Sequence, residues 1–84
     1  MSTHFAIEVR AKPAKDLELL RRTSDVLDAN HLLLWNLDYN NMGLGIVIHA
    51  TAEDGELDPE RLREELCRLP GVTDATVGVI GLPQ

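Results

Sequence analysis

Apolar and polar residues alternate strictly through HFAIEVR, residues 4–10, with Phe5, Ile7 and Val9 against Ala6, Glu8 and Arg10. That period of two predicts a first strand with one buried face. Pro13 then opens a stretch in which Leu17, Leu20, Ser24 and Leu27 fall on one helical stripe, predicting a first helix over 13–29. Asn30 is the expected stop, since asparagine tolerates the left-handed conformation that closes helices.

In HLLLWNLDY, Leu33, Trp35, Leu37 and Tyr39 share one face of a second strand, and Leu32, Leu34, Asn36 and Asp38 the other. NNMG then supplies a hairpin turn, and LGIVIHA alternates again as a third strand with Leu44, Ile46 and Ile48 inward. TAEDGEL reads as a surface loop. Asp58-Pro59 is an N-cap followed by proline at the first helical position, which starts a second helix over 58–69 with Leu62, Leu66 and Leu69 in line. Pro70-Gly71 ends it, and VTDATVGVI forms a fourth strand with Ala75, Val77 and Val79 on one face, finishing near Ile80.

The order is therefore βαββαβ over a single domain, 1–84. Two right-handed βαβ units interlock most simply as a four-stranded antiparallel sheet, order 2-3-1-4, with both helices on one face: the ferredoxin-like α+β arrangement. The second strand lies at an edge, and its outward Leu32 and Leu34 are expected to leave apolar area in water beside unpaired backbone groups. A chain of 84 residues buries only about 60–65% of its unfolded surface, so a partner copy along this edge is expected to add to a thin margin.

Charge narrows the partners. Fourteen acids against eight bases give a net charge of −6, which repels phosphate backbones and anionic lipid, so neither nucleic acid nor direct membrane contact is expected. Five of the eight bases, Arg10, Lys12, Lys15, Arg21 and Arg22, nevertheless crowd the first strand-to-helix junction, while acids concentrate between Glu53 and Glu65. Lys12 and Lys15 flank a helix start whose unbonded N–H groups favour anions. A small carboxylate fits there; local charge balance on an acidic chain explains the same residues without one. One cysteine, Cys67, and no basic segment followed by an apolar run point to a cytoplasmic location.

Catalytic and metal chemistry find little support. His4 and His49 approach across the first and third strands, and His31 stands apart, but no CxxC or HxxxH pair accompanies them, and they read as solvated strand-end histidines. DYNNMG begins like a calcium loop, yet His49 occupies the position that needs a carboxylate. Thr23, Ser24 and Cys67 are the possible nucleophiles, without an acid or base at useful spacing, and Ser24 lies on the expected buried stripe. Glu64 and Glu65 point about 100° apart on a helix and, with Arg61 and Arg63, form a solvated face. No enzyme activity, cofactor or metal is expected.

The order of elements, VLDANHLLLW at a helix end running into a strand, and LREELCRLPGVTDATV resemble the ACT domain, a small regulatory module that binds amino acids. The resemblance covers Phe5 to Ile80. It implies a homodimer joined through the second strand, with Leu32, Leu34 and Asn36 at the contact, and an amino acid or small carboxylate held by Lys12, Pro13, Ala14, Lys15 and Asp16 with Asn30 and Leu32 nearby. Ala14 stands where the family's Asp-Arg-Pro-Gly turn has glycine, and Leu32 where an asparagine is frequent. The cytoplasmic domain appended to MgtC-type membrane proteins is similar in shape, so the alternative is a dimerisation or protein-interaction domain that binds no metabolite.

Overall fold

The computed structural model describes residues 3–11, 17–39, 45–52 and 57–81. Six elements follow in the order β1 (Thr3–Ala11), α1 (Leu17–Ala29), β2 (Leu32–Tyr39), β3 (Gly45–Ala52), α2 (Pro59–Cys67) and β4 (Val72–Gly81). The strands form one sheet in the order β2-β3-β1-β4, with every neighbouring pair antiparallel. This is the ferredoxin-like βαββαβ fold.

The two central strands carry the core. Phe5, Ile7, Val9 and Ala11 of β1 and Ile46, Ile48, Ala50 and Ala52 of β3 are buried on the helix side, where Leu19 and Leu27 of α1 and Leu62 and Leu66 of α2 close over them. Alternation in β1 is maintained because Ile7 pairs with Ile48 on one side and Val77 on the other, so the same face stays apolar across three strands. At β4 the coverage thins: Ala75 is buried, Val77 partly so, and Val79 is exposed although it lies on the same face.

α1 buries Leu19, Thr23 and Leu27, with Leu20 and Val26 packed beside them, so the buried stripe is rotated from the expected Leu17–Ser24 line. Leu17 and Ser24 are exposed. The shift admits a polar residue to the core: the Thr23 hydroxyl is fully buried and donates to the Leu19 carbonyl at 2.8 Å, one turn back, which satisfies it without a partner from outside the helix. Residues 13–16 of the expected helix lie outside the described residues.

Helix closure also differs by one position. The left-handed residue is His31, φ 59°, and not Asn30, whose side chain is occupied otherwise. α2 begins as expected, with the Asp58 carboxylate accepting from the Glu60 amide at 3.1 Å and Pro59 in the first turn. Its exit turn places Gly71 at φ 87°, a backbone conformation closed to most residues with a Cβ.

β2 departs furthest from simple alternation. Leu34 pairs with Ala50 and Asn36 with His49, so Trp35 is an extra residue, a β-bulge. The bulge reverses the phase of the strand. Before it the even position Leu32 is buried; after it the odd positions Leu37 and Tyr39 turn toward the core. Leu32 is thus a core residue and not an outward one. Leu33 and Trp35, expected on the face of Leu37 and Tyr39, are exposed.

Candidate functional site

β2 is an edge strand, hydrogen-bonded to β3 along one side and, among the described residues, without a strand along the other. Three large apolar side chains stand exposed in its first half: Leu33 at 63%, Leu34 at 40% and Trp35 at 55%. Covering the remainder of such side chains is worth on the order of 1–2 kcal/mol each, and the open backbone groups offer a ladder to another strand. Asn36, expected at the contact, is exposed on the same strand and lies 3.4 Å from the His49 ring, Nδ2 to Nδ1.

An open groove of about 500 Å³ runs beside this edge, between Ser24, Asp25, Leu27 and Asp28 of α1 and Leu32, Leu33 and Leu34 of β2. Its floor is leucine and its helix wall is acidic. A second, shallow hollow of about 320 Å³ lies over the sheet where Ala6, Val47 and Gly78 leave little side chain.

The bulged Trp35 builds a cluster that period-two reasoning did not reveal. Its ring stacks on His49, centroids 5.1 Å apart and 21° from parallel, and meets the edge of His4 at 6.3 Å and 90°. His4 and His49 are diagonal neighbours: His4 pairs with Thr51, its Nδ1 lying 3.0 Å from the Thr51 hydroxyl, and His49 pairs with Ala6. The available signal was an unusual β2 pattern, apolar on parts of both faces, which a bulge reconciles. Among the described residues no group of three or more His, Cys, Asp or Glu side chains is placed to hold a metal ion.

Of the residues implied to hold a ligand, Lys12, Pro13, Ala14, Lys15 and Asp16 lie outside the described residues. Asn30 and Leu32 are described, and both are engaged in the fold. The Asn30 amide nitrogen donates to the Val26 carbonyl and to Glu65 Oε2, each at 2.8 Å, which commits both of its hydrogens and ties the end of α1 to α2. Leu32 is buried, so backbone is what it presents at the edge. Three of the five clustered bases have local acidic partners: Arg10 with Glu8 at 3.1 Å, and Arg21 and Arg22 with Glu18 at 3.7 and 3.9 Å. These pairs are exposed and weak.

The possible nucleophiles are not brought to a common site. Thr23 is buried in its helix, Ser24 is on the groove wall, and Cys67 is a half-buried free thiol on α2. Among the described residues no helix is long and apolar enough to cross a membrane. The described arrangement is a partly apolar strand edge beside the exposed, acidic flank of a helix.

No family model matches the chain, and no curated protein does. Among solved structures, the crystal structure of phospho-2-dehydro-3-deoxyheptonate aldolase (DAHP synthase) from Thermotoga maritima is similar in shape, with a TM-score of 0.57 and 12% sequence identity. The match covers 90% of this chain and 20% of that one, so the chain spans about a fifth of that protein's length. Likeness at this identity shows a shared fold: a small α+β unit with a four-stranded antiparallel sheet.

Proposed function

We propose that this chain is a non-enzymatic regulatory module of ACT type that works as a pair of copies joined along β2. The observation that carries the reading is the β2 edge, where an open backbone ladder and three exposed apolar side chains, Leu33, Leu34 and Trp35, coincide. An antiparallel β2–β2 contact extends the sheet from four strands to eight and covers those side chains. Sedimentation of the wild type and of Leu34→Lys tests it. The wild type is expected to be dimeric and the variant monomeric; a wild type that stays monomeric across the concentration range, or a variant as dimeric as wild type, refutes the pairing.

In this reading an amino acid or small carboxylate is held by residues Lys12 to Asp16, a position taken from the resemblance and from the bases that crowd this part of the sequence. A second reading, a dimerisation or protein-interaction domain without a metabolite, is favoured by Asn30 and Leu32. The first has both amide hydrogens committed and the second is buried, which removes two side chains from the ligand's reach. Titrating amino acids and small carboxylates while following backbone amide shifts separates the two. Shifts from Lys12 to Leu17 at millimolar ligand support sensing, and their absence leaves the interaction domain.

A further inference from the structure

We infer that the acidic groove between α1 and β2 receives an extended basic segment of another protein, which adds to the β2 edge as a strand in place of the second copy. The inference rests on the reading of β2 as a pairing edge and names a partner which that reading does not.

The strand register sets what such a segment meets. Leu34 pairs with the fully buried Ala50, so it faces the helix side, as the buried Leu32 does. Leu33 pairs with Thr51 and Trp35 stacks on His49, and both partners alternate with the buried Ile48, Ala50 and Ala52. Leu33 and Trp35 therefore stand on the face without helices. A strand laid along β2 offers its alternate side chains to these two different surfaces.

The helix-side surface is acidic and lacks a countercharge. Asp25 and Asp28 are exposed on the groove wall above the leucines. No ion pair reaches either among the described residues, and the nearby Arg21 and Arg22 turn instead to Glu18, at 3.7 and 3.9 Å. Both acids lie in the second half of α1, toward the negative end of the helix dipole, and no base occupies its last turn. Cations are favoured on this side and apolar groups on the other, against Leu33 and Trp35. The segment that fits alternates Lys or Arg with apolar residues.

A second copy matches the groove less well. Each copy carries a net charge of −6, and an antiparallel edge contact keeps the helices of both copies on one face of the joined sheet, so two acidic flanks come to the same side. The backbone ladder is the same for either occupant, which leaves side-chain charge to decide between them. One edge holds one strand, so a bound basic segment separates the pair.

A blocked peptide of alternating Lys and Val, added to the full chain, tests the inference. Fluorescence of Trp35, the single tryptophan, reports binding, and sedimentation equilibrium reports the oligomeric state. The peptide is expected to bind, to convert the pair to single copies, and to bind more weakly as salt is raised. Asp25→Asn combined with Asp28→Asn should weaken the peptide about tenfold at low salt, the loss of two exposed charge pairs, while self-pairing stays at least as tight. Glu60→Gln combined with Glu64→Gln removes the same charge from α2 and should leave peptide affinity within about twofold of wild type. A peptide of the same composition with its lysines in one block should bind about tenfold more weakly, because it cannot divide its side chains between the two faces. The inference is overturned, and edge pairing left in place, by any of these results: no peptide binding, binding that does not separate the pair, equal affinity for the block peptide, or equal effects of the two double variants. A wild type that never pairs, or a Leu34→Lys variant as dimeric as wild type, removes the edge reading and this inference with it.

Discussion

Asn30→Ala tests whether this asparagine holds the two helices together or waits for a ligand. In the fold its amide donates two 2.8 Å hydrogen bonds, to the Val26 carbonyl within α1 and to the Glu65 carboxylate on α2. Val26 keeps a partner when the side chain is removed, because the Asn30 backbone N–H also reaches it at 3.2 Å, so that loss is small. The Glu65 bond has a charged acceptor, but the carboxylate is 31% exposed and water replaces part of the loss. Together they give a cost of about 1.5 kcal/mol, out of a total of roughly 4–13 kcal/mol for a domain of this length.

Such a loss lowers the melting temperature by about 6–12 °C. It should be visible by circular dichroism in plain buffer, with no amino acid added. Combining the change with Glu65→Ala should give less than the sum of the two, with a coupling of about 0.5–1 kcal/mol. A variant melting within about 2 °C of wild type, or strict additivity with Glu65→Ala, would refute a structural role and return Asn30 to the candidate ligand contacts.

Deleting Trp35 should leave a folded protein, because it is the one bulge residue of β2 and its removal brings Leu34 and Asn36 into regular pairing opposite Ala50 and His49 without turning Leu32 or Leu37 out of the core. A deletion variant without a cooperative urea transition would sink the bulge assignment. Gly71→Ala should cost about 1 kcal/mol through backbone conformation alone, since a Cβ there meets nothing within 4 Å while φ is 87°; an unchanged urea midpoint contradicts that account.

Much of the fold was legible in the residues, and particular positions show why. Phe5, Ile7 and Val9 in β1 and Ile46 and Ile48 in β3 lie in central strands with a single buried face, so alternation maps directly to burial. Asp58-Pro59 and Pro70-Gly71 mark the ends of α2 because capping and φ restriction are local chemistry that needs no tertiary partner. The candidate site was less legible. Leu32 was expected outward and is buried, Trp35 was expected on the face of Leu37 and Tyr39 and is exposed, and the Asn30 amide is taken up by Val26 and Glu65; packing made each assignment.

What the sequence by itself determined is the order of elements, the βαββαβ topology that follows from right-handed crossovers, and the placement of β2 at an edge. Those depend on periodicity and on turn residues, which act within a few positions of the chain. Tertiary structure decided the phase within elements. The rotation of α1 that buries Thr23 and exposes Ser24 is set by the surface the helix meets. The bulge at Trp35 is set by two constraints at opposite ends of β2, Leu32 packing beside Ala52 and Leu37 beside Ile48, which no uninterrupted period of two satisfies together. That reversal of phase is what leaves Leu33, Leu34 and Trp35 standing at the open edge, and it is a property of the sheet as a whole.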